Sequence, residues 1–259
     1  MIKTLIIILL LLYIYFIIQR KEGFSVLDEN TFIRMNPNIM DHFYTKIYDE
    51  LYNTIDIHKN ELYAIKPYID GNNRLLCFGS RLGHIVQLSS GICETEGLEM
   101  STSMIYRSKK KYPKLTFTYG EYDNIHLYNQ NTFTCIMIPI MIIHFQYDLS
   151  NFFDICYHWL IHNGLLFISY FKDIHNIKYV VNYEPQPKFS HNYTFSIEIN
   201  NSIMNEIIMK KNKLYRKNIW NYSGINLEKL IYYGTLKGFN FVDKKDLGFM
   251  NIAIFKKKN

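Results

Sequence analysis

Residues 74–104 read RLLCFGSRLGHIVQLSSGICETEGLEMSTSM, and this stretch decides the fold. The apolar run at 75–78 ends at a glycine, which is typical of a buried parallel strand. Gly79 and Gly83 flank a tight turn, and glycine lets a backbone approach a ligand where a Cβ would clash. Residues 84–88 begin an amphipathic helix, whose N-terminus offers free N–H groups.

A second strand, at about residues 91–98, ends on the carboxylate of Glu99. An acid at this position can accept hydrogen bonds from both hydroxyls of a ribose. Strand, glycine turn, helix, strand and acid form the first half of a nucleotide-binding βαβ unit. A dinucleotide turn has the spacing G-x-G-x-x-G, but Arg81 and His84 stand at its second and third glycine positions. The spacing therefore disfavours an NAD-dependent oxidoreductase.

The glycines at the first and fifth positions of the turn instead resemble the G-x-G-x-G loop of class I S-adenosylmethionine-dependent methyltransferases. Residues 97–104, GLEMSTSM, resemble that family's G-h-D-h-S-x-x-M segment, where h is apolar, with glutamate in place of aspartate. The resemblance implies S-adenosyl-L-methionine as the cofactor. The residues that it assigns to cofactor binding are Gly79, Ser80, Arg81, Gly83, Glu99, Met100 and Glu121.

Two residues depart from the family pattern. Cys77 stands where the first strand usually carries an acid, and Arg81 replaces the middle glycine of the loop. An arginine that fills the space above Gly79 would block the cofactor, whereas one on the rim of the pocket would leave room for it. A second interpretation therefore stays open, a catalytically inactive methyltransferase-fold scaffold or binding module tethered to a membrane.

The resemblance extends from about residue 41 to residue 259. Further strands are predicted at residues 115–119, 132–138, 165–170, 239–242 and 249–255, and the last two resemble the family's C-terminal antiparallel pair. A helix is predicted at residues 149–161. The expected fold is α/β, a seven-stranded, mostly parallel Rossmann-like methyltransferase sheet with helices on both faces, plus one N-terminal transmembrane helix. Glu121 follows the third strand and resembles the family acid that accepts from the adenine amino group.

Two residues are candidates near the substrate. Tyr48 lies in a helical pattern at residues 41–63 whose Y-D-x-h-Y sequence is similar to a helix that caps the cofactor pocket in many small-substrate methyltransferases. The alternative is an amphipathic helix that covers the sheet edge. His144 follows the fourth strand, where the family often has a substrate-facing histidine, and an imidazole there is a candidate general base.

An insertion is predicted at about residues 178–222, after the fifth strand. It contains a strand at 189–199 and a hairpin turn around 210–213. Insertions at this place often cover the substrate in the family, which makes Tyr193 and Trp220 candidate lid residues. The methyl acceptor stays unidentified, as a small molecule, a lipid or a protein. The fourth strand lacks the [ND]-P-P-[YF] motif, which disfavours a nucleobase amino group.

Residues 1–18 read MIKTLIIILLLLYIYFII and predict an uncleaved membrane anchor through residues 2–18. Flanking charges are nearly balanced, so charge leaves the orientation open. A cytosolic cofactor places the domain on the cytosolic side. The predicted organisation is an anchor at 1–22, a linker and cap helix at 23–70, and the methyltransferase-like domain at 71–259.

Composition restricts the possible functions less than the motifs do. The net charge of +6 fits contact with an anionic surface, or simply a solvated basic surface, and no specific nucleic-acid motif is present. The four cysteines are scattered without a C-x-x-C spacing, which disfavours a disulfide framework and a zinc site, so no metal is expected.

Overall fold

The computed structural model describes residues 32–35, 38–146, 148–181, 193–210 and 213–259. The predicted anchor at residues 2–18 lies outside the described residues, as does part of the predicted insertion, residues 182–192. In the described ranges, no helix combines the length and the apolar character that a membrane span needs.

The helices of this part of the chain are α1 (His42–Leu51), α2 (Thr54–Ile65), α3 (His84–Ser89), α4 (Thr102–Lys111), α5 (Leu149–Trp159) and α6 (Leu227–Leu236). The strands are β1 (Phe32–Met35), β2 (Arg74–Phe78), β3 (Glu94–Glu99), β4 (Thr116–Tyr119), β5 (Phe133–Ile138), β6 (Leu160–Phe171), β7 (Tyr193–Asn200), β8 (Ile203–Lys210), β9 (Lys213–Asn221), β10 (Phe239–Asp246) and β11 (Met250–Lys257).

Seven of the strands form one sheet in the order β10-β11-β6-β5-β2-β3-β4. The five strands from β6 to β4 pair in parallel, while β11 is antiparallel to both of its neighbours. This arrangement confirms the predicted seven-stranded, mostly parallel sheet with a C-terminal antiparallel pair. The chain reverses its direction of progress between β2 and β5, and such a switch point is where open α/β sheets bind ligands.

Alternate residues of β2 show how both faces of the sheet are covered. Leu75 and Cys77 belong to a buried cluster with residues of α2 and α3, whereas Leu76 and Phe78 pack with α5 and α6. All four side chains are fully buried. Each large apolar side chain contributes roughly 1.5–3 kcal/mol by its burial, so β2 is a central element of the core.

A second sheet of four strands has the order β1-β9-β8-β7. Strands β7, β8 and β9 form an antiparallel meander, which confirms the hairpin predicted around residues 210–213. Strand β1 pairs in parallel with β9, so the predicted linker at residues 23–70 contributes a strand to this sheet. The buried side chains of β8 and β9 belong to one cluster with those of α1. Helix α1 and this sheet therefore form one packed layer.

The single helix predicted at residues 41–63 is two helices. Tyr52 ends α1 and forms a bridge with Val181, and the Asn53 N–H donates to the carbonyl of Val180 at 2.8 Å. The chain that follows β6 therefore supplies partners for the backbone between α1 and α2. This partner is distant in sequence, so the helical period of residues 41–63 did not reveal the break.

Candidate functional site

A cavity of about 430 Å³ opens at the carboxyl ends of β2, β3, β4 and β5, at the switch point of the large sheet. Its floor carries side chains from the loops after these strands, Arg81, Met100, Ser101, Glu121, Tyr122 and Ile142. Its roof comes from three places: the segment before α1, the loop after β5, and strand β9. The roof residues are Met40, Asp41, Phe145, Gln146 and Trp220.

Backbone hydrogen bonds hold the loop after β2 in place. Gly79 and Ser80 both donate their N–H groups to the carbonyl of Leu98 at 2.9 Å, and Gly83 donates to Ser80 at 2.9 Å. Gly79 and Gly83 have φ angles of 77° and 81°, in the left-handed region that favours glycine. The predicted glycine turn is therefore present, but these three N–H groups are used inside the protein.

The space beside Gly79 is occupied by a side chain from another loop. A Cβ on Gly79 would lie 2.6 Å from Cδ1 of Ile142, which follows β5. A Cβ on Gly83 would lie 2.6 Å from Cζ of Phe117. Both glycines are thus needed for close internal packing, and neither belongs to the cavity wall. Their contact with the cofactor stays a prediction.

Glu99 lies one layer behind the cavity wall. Its side chain is fully buried, and its carboxylate accepts from the N–H groups of Arg81 and Ser101, each at 3.0 Å. The Tyr122 hydroxyl donates to the same carboxylate at 3.2 Å. The predicted ribose acid therefore orders the loop after β2, the residues after β3 and Tyr122, and these wall residues separate it from the cavity.

Three of the predicted cofactor-binding residues do meet at the cavity: Arg81, Met100 and Glu121. Glu121 is exposed and accepts a hydrogen bond from the Tyr119 hydroxyl at 3.3 Å. Ser80, by contrast, is 2 % exposed and packs against Gly97, and its hydroxyl has no hydrogen-bond partner among the described residues. The carboxyl ends of β2, β3 and β4 thus each provide one predicted residue to the wall.

His144 is predicted as a general base, and the structure places it outside the cavity wall. It is 2 % exposed, its Nε2 accepts from the Phe171 N–H at 3.0 Å, and its Nδ1 donates to the carbonyl of Ser223 at 3.3 Å. Burial lowers the pKa of His144 to about 4, although the bond to Ser223 favours the charged form. The imidazole is therefore neutral at physiological pH, and both ring nitrogens are engaged.

Tyr48, the other residue predicted near the substrate, also lies outside the cavity wall. The ring is 2 % exposed and packs against Tyr44 and Tyr52, with ring centroids 5.9 and 5.1 Å apart. Burial raises the pKa of Tyr48 to about 12, although the nearby charge of Arg81 favours the phenolate. A protonated, buried phenol of this kind supports the packing of α1.

Cys77 points away from the cavity. Its side chain is fully buried on the face of β2 that packs against α3, where its Sγ lies 3.8 Å from the Ser89 hydroxyl. Burial raises the pKa of the Cys77 thiol, so it stays protonated. The family acid of the first strand has no counterpart at this position.

A buried acid on α2 fixes the loop that covers Gly79. Glu61 is fully buried, accepts from the N–H of Ile140 at 2.7 Å, and bonds to Nδ1 of His58 at 2.6 Å. Met141, the next residue, has a φ of 77°, a strained conformation for a residue with a side chain. Glu61 therefore helps to hold the backbone that places Ile142 on the cavity floor.

The roof is anchored by a buried polar network. Arg216 on β9 donates from Nη1 to both carboxylate oxygens of Asp41, at 2.8 and 2.9 Å, and from Nη2 to the carbonyl of Ile39 at 2.6 Å. Its Nε donates to Asn218, which in turn donates to Glu206 at 2.7 Å. These bonds fix the start of α1 against the second sheet.

Glu206 completes this network from β8. It is fully buried, and its Oε1 accepts from the hydroxyls of Tyr44 at 2.7 Å and Tyr52. Tyr44 lies in the first turn of α1 and Tyr52 caps its C-terminus, so the same carboxylate bonds to side chains at both ends of the helix. The hairpin predicted around residues 210–213 implied a strand before its turn but gave no sign that the buried face of this strand carries an acid.

Aromatic side chains line the roof. Trp220 packs against Phe145 with ring centroids 4.8 Å apart, and both rings contribute to the wall. Trp220 was predicted as a lid residue, and it lies on this wall. Tyr193, the other candidate, packs instead against Phe43 and Tyr215 outside the cavity. Phe145 had no sequence motif that could have identified it.

The fold and the place of this cavity define the class I S-adenosylmethionine-dependent methyltransferase fold. No family model and no curated protein matches the sequence. Solved structures do match. An S-adenosylmethionine-dependent methyltransferase from Clostridium acetobutylicum ATCC 824 has a TM-score of 0.59 and 13% identity, over 84% of this chain and 97% of that one.

Two further solved structures are similar over most of their length. Streptomyces venezuelae DesVI has a TM-score of 0.59 and 11% identity, over 85% of this chain and 99% of that one. CalS10 from Micromonospora echinaspora, an amino pentose methyltransferase solved with S-adenosylmethionine bound, has a TM-score of 0.57 and 12% identity, over 86% and 100%. At these identities the likeness is one of fold.

The residues present fit the cofactor that this fold implies. The cavity volume falls in the range of roughly 300–1,000 Å³ that small-ligand sites occupy. Glu121 offers an acceptor for an adenine amino group, and Met100 and Tyr122 offer apolar and aromatic surface beside it. A Cβ on Gly97 would lie 2.8 Å from the Ser80 hydroxyl, so this glycine lets β3 and the loop after β2 pack closely beneath that wall.

Proposed function

We propose that this chain transfers a methyl group from S-adenosylmethionine to a nucleophilic acceptor atom. One observation carries the proposal. The cavity lies at the switch point of a methyltransferase-type sheet, and the ends of β2, β3 and β4 supply Arg81, Met100 and Glu121 to its wall. The solved methyltransferases of the same fold, one with S-adenosylmethionine bound, support the cofactor.

Methyl transfer requires mainly that the two reactants are held in the correct position. When bound, the cofactor supplies an electrophilic methyl group on a sulfonium. Holding two reactants in line can lower a barrier by roughly 7–11 kcal/mol without a catalytic base. Glu121 and Met100 would orient the adenine end, and the rings of Trp220 and Phe145 would exclude water from above. No role for the neutral, engaged imidazole of His144 is required.

The proposed acceptor is a small molecule. The roof of the cavity is built by the segment before α1, the loop after β5 and the second sheet, and a cavity with such a roof suits a compact acceptor better than a folded protein surface. CalS10, which has this fold, is an amino pentose methyltransferase, and that title supports a small acceptor here by analogy of fold.

The proposal includes a membrane tether. Residues 5–18 carry no charged side chain, and residues 2–18 would hold the chain in a bilayer with the domain on the cytosolic side. Carbonate extraction of membranes from cells that express the full chain tests this tether. The full chain should stay in the pellet, and a chain that lacks residues 2–18 should move to the supernatant. Release of both chains would contradict the tether.

A second candidate function is a catalytically inactive scaffold. Ile142 occupies the space beside Gly79, and Glu99 is fully engaged behind Arg81, Ser101 and Tyr122. These contacts favour a fold whose loop serves internal packing. A scaffold predicts that neither S-adenosylmethionine nor S-adenosylhomocysteine binds to the folded protein.

Calorimetric titration of both ligands into the full chain separates the two functions. Methyl transfer requires saturable binding, which Glu121→Ala should weaken because the substitution removes the acceptor at the adenine end. Glu228→Ala, at an exposed position on α6, is the matched control and should bind as the unaltered chain does. Absence of heat with either ligand, from a sample that melts cooperatively, would favour the scaffold.

A further inference from the structure

Arg81 is held in place by its backbone, and this leaves its side chain free to bind a ligand. Its N–H donates to Glu99 at 3.0 Å, and its carbonyl accepts from the Ser108 hydroxyl at 2.9 Å. Its φ is 51°, a left-handed conformation that an arginine adopts only under such constraint. The residue therefore projects from a fixed point in the loop after β2, and its side chain lies on the cavity wall.

The guanidinium of Arg81 has five N–H donors. Within the described ranges, its side chain makes no hydrogen bond and no ion pair. Two of the carboxylates near the cavity, Glu99 and Asp41, are engaged by other groups, and Glu121 on the same wall accepts from the Tyr119 hydroxyl at 3.3 Å. Glu99 accepts from two N–H groups and Tyr122, and Asp41 is paired with Arg216. Burial opposes the charged form of Arg81, but the nearby acidic groups of Tyr48 and Glu99 outweigh burial and raise its pKa, so the guanidinium is a cation. A ligand oxyanion would add the charge-assisted hydrogen bonds that this cation lacks among the described residues.

Arg216 shows what a structural arginine looks like in this protein. It is 3 % exposed, and its three nitrogens donate to Asp41, Asn218 and the carbonyl of Ile39. Every side of that guanidinium has a partner supplied by the fold. Arg81 differs in both respects, since its side chain lies on a cavity wall and no described residue accepts a hydrogen bond from its guanidinium.

We propose that Arg81 is the oxyanion-binding group of this cavity and takes a carboxylate or phosphate of the bound ligand. The inference rests on the proposed function and deepens it. A guanidinium presents a planar fork that matches a carboxylate in a two-point contact. The oxyanion has two sources, the carboxylate at the amino-acid end of the cofactor or an acid group on the methyl acceptor. At the loop position where the family has a glycine, this chain would thus gain a ligand contact.

The test compares two probes that share the adenosine end. S-adenosylhomocysteine carries the carboxylate, and 5′-methylthioadenosine lacks it. Both are titrated calorimetrically into the full chain and into Arg81→Met, which keeps both backbone hydrogen bonds. A charge-assisted contact predicts that Arg81→Met weakens S-adenosylhomocysteine roughly ten- to a hundredfold and leaves 5′-methylthioadenosine within about twofold. Arg81→Lys should retain part of the affinity.

If the oxyanion belongs to the methyl acceptor, the expected results differ. The affinities of both adenosine probes would then be unchanged in Arg81→Met. Acetate or inorganic phosphate would raise the melting temperature of the chain saturated with S-adenosylhomocysteine, and would fail to raise that of Arg81→Met. Arg107→Met, on α4 and away from the cavity wall, is the matched control and should behave as the unaltered chain does.

Two results overturn the inference. Tighter binding of S-adenosylhomocysteine by Arg81→Met would show that the arginine obstructs the cavity. Unchanged affinities together with no effect of either oxyanion would show that Arg81 binds no anion. Failure of the proposed function looks different, because the unaltered chain would then bind neither adenosine probe. Phosphate or acetate would in that case still report on Arg81 in the free chain.

Discussion

Replacing Glu206 by alanine should loosen the roof of the cavity from the rest of the protein. The carboxylate is fully buried between β8 and α1, and it accepts from the hydroxyls of Tyr44 and Tyr52 and from the amide of Asn218. Burial, followed by the nearby charge of Glu206, raises the pKa of both phenols, so both remain donors. The substitution therefore leaves three buried donors without an acceptor.

The size of the effect follows from these three donors. A buried donor that loses its partner costs about 1–3 kcal/mol, and removing a buried charge recovers part of the sum. We expect Glu206→Ala to lower the free energy of unfolding by about 3–5 kcal/mol. At about 2–4 °C per kcal/mol for a chain of this size, the melting temperature should fall by roughly 6–20 °C. Glu206→Gln keeps one acceptor oxygen and should lose about 1–2 kcal/mol.

Urea unfolding of the full chain, followed by tryptophan fluorescence, measures these losses. Trp220 lies on the strand beside β8 and packs on the roof, so its emission reports on this layer. Glu198→Ala, at an exposed position on β7, is the matched control and should stay within about 0.5 kcal/mol. The reasoning fails if Glu206→Ala loses less than about 1 kcal/mol, or if the control loses as much.

Two further predictions concern pH and use the same urea assay. Asp49 is partly buried, which opposes its ionisation, but hydrogen bonds with His84 and Lys111 outweigh burial and lower its pKa to about 2. Asp49→Asn should therefore be about 1 kcal/mol less stable at pH 7, allowing for solvent screening, and the gap should close as pH falls from about 4 towards 2. An equal gap at pH 7 and pH 2 would contradict this. Burial lowers the pKa of His144 to about 4, so the unfolded chain binds a proton before the folded chain does. The unaltered chain should lose up to about 3 kcal/mol between pH 6.5 and pH 4, and His144→Gln, though less stable at pH 7, should lack that pH-dependent loss.

The first βαβ unit could be predicted because its signals are local. The strand predicted at residues 75–78 and the helix predicted at 84–88 match β2 and α3 within one residue at each end. Glycine at positions 79 and 83 marked the left-handed turn between them. Apolar runs, glycine turns and acids at strand ends depend on neighbouring residues, so the sequence reveals them directly.

The cavity wall was harder to predict because its members come from distant segments. Ile142 covers Gly79 and Tyr122 covers Glu99, and each covering residue follows a different strand. The sequence shows that a glycine or an acid stands at the end of a strand, but not which side chain from another loop will lie above it. The surroundings of His144 were hidden for the same reason, since its two hydrogen-bond partners lie at the end of β6 and after β9.

The helix boundaries show a related limit. Residues 149–161 have a helical period, yet α5 ends at Trp159 and β6 begins at Leu160. The Thr132 N–H donates to the carbonyl of Trp159 at 2.8 Å, and Phe133 pairs with Leu160. Pairing with β5 thus ends the helix two residues earlier than its own sequence suggests.

The imidazole of His144 joins the two ends of the chain segment that forms most of the second sheet. Phe171, the last residue of β6, donates to one ring nitrogen, and Ser223, just past β9, accepts from the other. The segment between them leaves and rejoins the core at nearly one point. A chain segment whose two ends lie close together can change in length or sequence without disturbing the order of the core strands. A different roof on the same sheet would nevertheless require matching changes around α1, because Glu206 and Arg216 of this segment bond to Tyr44, Tyr52 and Asp41.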